Sequence, residues 1–142
     1  MVEKGRDALL GTNDDSLDIT FEPHDFFAPQ PEPADVFILR HVCHDWPAAG
    51  AARILQNLVP GMKPSSRILL VELVTENPML MHYDHARMAS VMDLNMAQFH
   101  NATERTSADW GDVLKLTGEK LEILSITRPV GSWDSIIEIG FQ

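Results

Sequence analysis

ADVFILRHVCHDW, residues Ala34 to Trp46, opens on an apolar run (Val36, Phe37, Ile38, Leu39) and closes on ionisable side chains (Arg40, His41, His44, Asp45). An unbroken apolar run of this length between polar residues predicts a central strand buried on both faces. A helix is predicted directly after it, and ligands of open α/β sheets sit just beyond the carboxyl ends of the strands. Position alone therefore places any chemistry at Arg40 to Trp46. His41 and His44 are three apart, and in a strand that odd spacing points them to opposite faces.

Pro47 suits a first helical turn, with Asp45 as its cap, and Ala51, Ile54, Leu55 and Leu58 line one helical face that stops near Pro60-Gly61. PGMKPSS reads as a turn, and RILLVELV, residues 67–74, as a second apolar strand enclosing one acid, Glu72. Strand, helix, strand in this order implies a parallel crossover. Upstream, residues 2–10 read as a short helix, GTNDDS as a turn, and Leu17, Ile19 and Phe21 alternate with polar residues as in a strand ended by Pro23. APQPEPAD is an extended loop.

Downstream, residues 79–99 read as a helix with Met88, Met92 and Met96 on one face. Thr106 or Ser107 would cap the next helix, with Trp110, Val113, Leu114 and Leu116 facing inward and Gly118 as its stop. LEILSITRPVG and WDSIIEIGF predict an antiparallel hairpin turning at Pro129 to Ser132. The sum is α/β, a mixed sheet of parallel strands with crossover helices and an antiparallel C-terminal pair.

At 142 residues this is one domain, with 44% hydrophobic and 23% charged residues. The net charge of −10 and the scattered lysines and arginines exclude a nucleic-acid partner. No apolar run is long enough for a membrane span, and MVEKGRDALLG lacks the core of a signal peptide. The single cysteine, Cys43, excludes an internal disulfide and fits a reducing compartment, so a cytoplasmic protein is expected.

Three constellations could carry chemistry. His44, beside Asp45 at a strand end, could take a proton near neutral pH, with Glu72 on the neighbouring strand as its orienter; it could equally cap a helix or sit in a polar rim. Asp25-Phe26-Phe27 could hold a heteroaromatic ring, or supply core aromatics and a turn. His82 and His85, with Asp84, could ligate zinc, or lie on a solvated helix end. There is no G-x-S-x-G, C-x-x-C or glycine-rich phosphate loop.

In order and spacing, HDFFAPQP, ADVFILRHVCHDW, RILLVELV and HNATERT resemble the S-adenosylmethionine-dependent O-methyltransferases of the plant caffeic-acid type and their fungal relatives. The resemblance runs from about residue 2 to the C-terminus. It implies that His44 is a general base that deprotonates a phenolic hydroxyl, and that Glu72 and Glu104 are the acids flanking it. It further implies that Asp25 and Phe26 bind the adenine end of S-adenosylmethionine and that Arg40 contacts the cofactor. Met96 and Asn101 fall near the substrate pocket. The substrate would be a small aromatic or polyketide-type hydroxyl, and no metal is required.

The resemblance also implies a departure. The family's N-terminal dimerisation domain, its first strand with the glycine-rich loop, and its second strand are expected to be missing, so that residues 1–142 form a truncated catalytic domain with a partial Rossmann-like class I methyltransferase sheet. In the family's strand order, 3-2-1-4-5-7-6, an edge of the Ala34–Arg40 strand would then be open, to a second copy or a partner chain. Two readings follow: an O-methyltransferase of secondary metabolism, or a catalytically inactive remnant that binds a partner.

Overall fold

The computed structural model describes residues 19–75, 87, 90–94, 97, 98 and 103–142. Strand β1 (Ala34–Arg40) leads through a 3-10 turn at Cys43–Asp45 into helix α1 (Ala48–Leu58), and the chain returns in β2 (Met62–Glu72), parallel to β1. Two short strands, β3 (Val74–Thr75) and β4 (Arg105–Thr106), pair in parallel, followed by helix α2 (Ser107–Leu116). The hairpin of β5 (Leu121–Thr127) and β6 (Ser135–Phe141) closes the fold. Its turn, with Gly131 at φ +80°, is closed by the Ser132 N–H donating to the Pro129 carbonyl, 3.0 Å.

The sheet order is β1-β2-β6-β5, with β6 antiparallel to both neighbours. This is the 4-5-7-6 portion of the order implied by the resemblance. Alternation along the strands sends Ile68, Leu70, Ile137 and Ile139 into one core with Ile54 and Leu55 of α1 and Trp110, Val113 and Leu114 of α2. Each such side chain contributes roughly 1.5–3 kcal/mol by leaving water.

The β1 strand departs from the expectation of two buried faces. Phe37 is buried, whereas Val36 is 49% and Ile38 67% exposed. Among the described residues β1 is an edge strand rather than the central one, and nothing covers its second face. An apolar run alone does not distinguish these cases. The segment from Ile19 to Glu22 forms no strand despite its alternation. Leu17, the helix expected over 2–10 and the turn at 11–16 lie outside the described residues.

PGMKPSS is also not a simple turn. The β2 ladder starts at Met62 opposite Ala34 and resumes at Arg67 opposite Val36, so Lys63 to Ser66 bulge out against a single residue. Buried Ser66 stabilises the bulge by donating to the Ala34 carbonyl (2.6 Å) and accepting from the Lys63 N–H (2.9 Å). Pro64 is tolerated there because a bulged residue needs no ladder donor.

Thr106 caps α2 in a full capping box with Asp109. Gly118 ends that helix at φ +70°. Leu116 is 60% exposed, not inward, since it lies off the stripe of Trp110, Val113 and Leu114. Pro47, not Asp45, is the N-cap of α1, and no side chain caps it. Residues 87, 90–94, 97 and 98 are helical as expected; Met92 is among them, whereas Met88 and Met96 lie outside the described residues. No helix of the described residues is long and apolar enough to cross a membrane.

Candidate active site

The site forms where β1 and β2 end side by side. The β1 strand stops because His41 turns into the left-handed region, φ +51°, the one non-glycine residue to do so among those described. That conformation costs an L-residue about 1–2 kcal/mol. It is held by the His41 N–H donating to the Val71 carbonyl (3.1 Å) and by Nε2 of His41 lying 2.9 Å from Oδ2 of Asp134. The 3-10 turn follows, and the rings of His41 and His44 come to 5.2 Å between centroids. The opposite-faces expectation fails because the chain has left the strand before His44 is placed.

Glu72 closes β2 directly beneath that turn, with none of its side chain exposed. Its Oε1 accepts the N–H groups of Val42 (3.3 Å) and Cys43 (3.0 Å), while Oε2 lies 3.9 Å from Nδ1 of His44. Glu104, just before β4, brings its Oε1 to 3.4 Å from the same Nδ1, and its backbone N–H donates to Oδ1 of Asp93. Asp45 Oδ1 is 3.4 Å from His44 Nε2. A carboxylate only accepts, so the two glutamates favour the tautomer with its proton on Nδ1 and a lone pair on Nε2.

These neighbours move the ionisations. The hydrogen bond from His44 Nδ1–H to Glu104 raises the pKa of His44 above the ordinary imidazole value; burial opposes this, and the negative charges of Glu72, Glu104 and Asp45 add to it. Burial raises the Glu72 carboxyl, against the pull of His44 and the two backbone donors. Cys43, inside the same turn, is pushed up to about 12 by burial and by the Glu72 charge.

Arg105 was not singled out by sequence reasoning. It is buried, donates from Nη1 to the Cys43 carbonyl (2.9 Å) and from Nη2 to the Trp46 carbonyl (2.5 Å), and lies over the Trp110 ring with its central carbon 5.0 Å from the centroid. The guanidinium thus clamps both carbonyls that bracket the His44 turn. The available signal was its position: an arginine beside Glu104 in a segment that had to reach the core.

Asp25 and Phe26 sit on the outer side of the same turn. Asp25 Oδ1 accepts the Phe27 N–H at 2.9 Å, and Phe27 packs edge-on against Trp46 at 4.7 Å between centroids. Phe27 therefore takes the core role, while Phe26 is 37% exposed, with its ring 5.9 Å from Trp46. An exposed aromatic face beside a carboxylate fits the adenine end of a nucleoside cofactor. Arg40 stands apart from them, exposed, 3.6 Å from Asp134. A cleft of about 300 Å³ lined by Pro47, Thr103, Arg105 and Asp109 lies behind the turn and includes none of His44, Glu72 or Glu104. Met96, Asn101, His82 and His85 lie outside the described residues.

A mixed sheet of this order, with a histidine between two buried glutamates beyond the ends of β1 and β2, has a class I methyltransferase-like fold. Residues 1–120 match the O-methyltransferase domain family, and the chain belongs to it. Among its relatives, O-methyltransferase aoiF of Aspergillus oryzae is 38% identical over 123 residues, which cover 86% of this chain and 29% of that protein. The mitomycin 7-O-methyltransferase MmcR superposes with a TM-score of 0.81 at 27% identity, over 99% of this chain and 39% of its own. OxaC, solved with SAH and oxaline, superposes with a TM-score of 0.79 at 25% identity, over 99% of this chain and 33% of its own. The chain thus spans about a third of the length of the relatives it matches.

Proposed function

We propose that residues 1–142 carry the proton-removing portion of an S-adenosylmethionine-dependent O-methyltransferase of secondary metabolism, acting on a phenolic or polyketide-type hydroxyl. The observation that carries this reading is His44, with Glu72 and Glu104 on its Nδ1 side and, among the described residues, Asp45 alone, 3.4 Å away, on its Nε2 side, which leaves Nε2 as the atom to take a proton. S-adenosylmethionine, when bound, supplies a methyl group on a sulfonium. His44 takes the hydroxyl proton at Nε2 as the substrate oxygen acquires that methyl, and the two glutamates stabilise the resulting imidazolium. A phenol ordinarily titrates near 10, so removing its proton during attack matters at neutral pH.

Asp25 and Phe26 are assigned to the adenine end and Arg40 to the cofactor side. Met96 and Asn101 are assigned to the substrate side. The names of the relatives, among them a mitomycin 7-O-methyltransferase, support a hydroxyl of a small molecule as the acceptor. The second reading, an inactive relative that binds a partner chain, rests on the exposed Val36 and Ile38 of β1.

Calorimetric titration with S-adenosylhomocysteine separates the two. The enzyme reading expects saturable binding, and His44→Ala should then lower methyl transfer about 10²–10⁴-fold while leaving that binding nearly intact. An absence of binding at millimolar ligand overturns autonomous catalysis by this chain, and unchanged turnover removes His44 from its role.

A further inference from the structure

We infer that His41, His44 and Glu72 form a zinc-binding site, and that zinc held there blocks the proton-accepting role of His44. One donor atom from each of the three residues lies within 4.8 Å of the others. The ligand atoms of a tetrahedral zinc sit about 3.3 Å apart, so binding would draw these donors somewhat closer, and His41 is only half-buried.

The independent sign of a ligand is Glu72 Oε2. It is fully buried, it has no hydrogen-bond partner among the described residues, and it points to within 3.9 Å of His44 Nδ1. A buried polar atom left without a partner is unfavourable, and a cation at this position would relieve it. Glu104, whose Oε2 is likewise buried and unmatched among the described residues, adds negative charge on the same side.

Two imidazoles and one carboxylate favour zinc over magnesium or calcium, which prefer oxygen donors. The outer partner of a metal-binding histidine is also present. Asp134 lies 2.9 Å from Nε2 of His41, and an ion on Nδ1 would leave that contact intact. Zinc on Nδ1 of His44 displaces the proton from that nitrogen, so the neutral ring carries its proton on Nε2 and cannot accept another. Zinc binding does not depend on the methyl-transfer reading; its inhibitory consequence does.

Zinc titrated into the full metal-free chain, followed by calorimetry, should bind at one equivalent, whereas magnesium should give no heat. His41→Asn keeps a residue type tolerant of the left-handed backbone, and it should weaken zinc at least tenfold. Asp134→Asn should weaken it about 10–100-fold, and His82→Ala/His85→Ala should leave it unchanged. Cobalt(II) should show the visible absorption of a low-symmetry nitrogen–oxygen site, lost in His41→Asn. No uptake of zinc, wild-type affinity in His41→Asn, or loss of binding in the His82/His85 pair overturns the site. If methyl transfer is observed, zinc should inhibit wild type and spare His41→Asn; zinc binding without inhibition overturns only the consequence.

Discussion

His44 must be neutral to accept a proton, and its hydrogen bond to Glu104 raises its pKa above the ordinary value of about 6.5. Methyl transfer should therefore fall as the pH drops through that raised value, and Glu104→Gln should move the falling limb to lower pH; a limb that stays in place removes Glu104 from this role. Stability runs the other way. A folded pKa above the unfolded one means that the stabilisation is full below about 6.5 and is lost as the pH rises through the folded value. The stability gap between wild type and His44→Ala, from urea melts, should narrow along that path. Cys43, buried with its thiol near 12, should resist thiol reagents at neutral pH until the protein is unfolded. Part of the site's make-up was legible: strand-end position pointed to His44 and Glu72, and the family resemblance carried by HDW, VELV and ATERT pointed to Glu104. The approach of His41 was not, because a left-handed histidine leaves no mark in the sequence. Nor was the grip of Arg105, since its hydrogen bonds go to the backbone carbonyls of a turn 59 and 62 residues away, and backbone acceptors leave no mark in the sequence.

Elements set by neighbouring residues were the readable ones. The cap of α2 at Thr106 or Ser107, the Gly118 stop and the Pro129–Ser132 turn are all local chemistry, and each was anticipated from a few adjacent residues; the structure places the cap at Thr106, in a box with Asp109. Thr106→Ala should cost about 1 kcal/mol, seen as a melting point lowered by roughly 4 °C for a chain of this size. What depends on a distant partner was misread: the alternating segment from Ile19 to Glu22 forms no strand, and the bulge of Lys63 to Ser66 was taken for a turn. The faces of β1 belong to the same class. Phe37→Ala should cost about 3–5 kcal/mol by leaving a cavity under α1, whereas Val36→Ala should stay within about 0.5 kcal/mol on the exposed face. Equal losses at the two positions would mean that the second face is covered.

At the scale of the whole molecule, among the described residues the sheet ends on β1, whose hydrogen-bonding edge and one face are open, and such edges invite pairing. Ile38→Lys should leave the melting temperature nearly unchanged and raise the concentration at which the chain self-associates, as read by light scattering; no change in association would clear β1 of that liability. The order of the sheet was legible only through the family resemblance, because pattern alone does not say which strand lies beside which. Its most telling feature is the placement of β6 between β2 and β5, with Ile68 facing Ile139 across almost half the chain. A nascent or refolding chain can wind α1 and close β1 on β2 early, but the middle of its sheet stays unfilled until residues 135–141 arrive. Folding should accordingly be slow for the chain's length, as expected where distant contacts must form before the structure is rewarded. Shortening the chain by those residues should abolish the cooperative transition rather than fray one end, because the strand removed is an inner one.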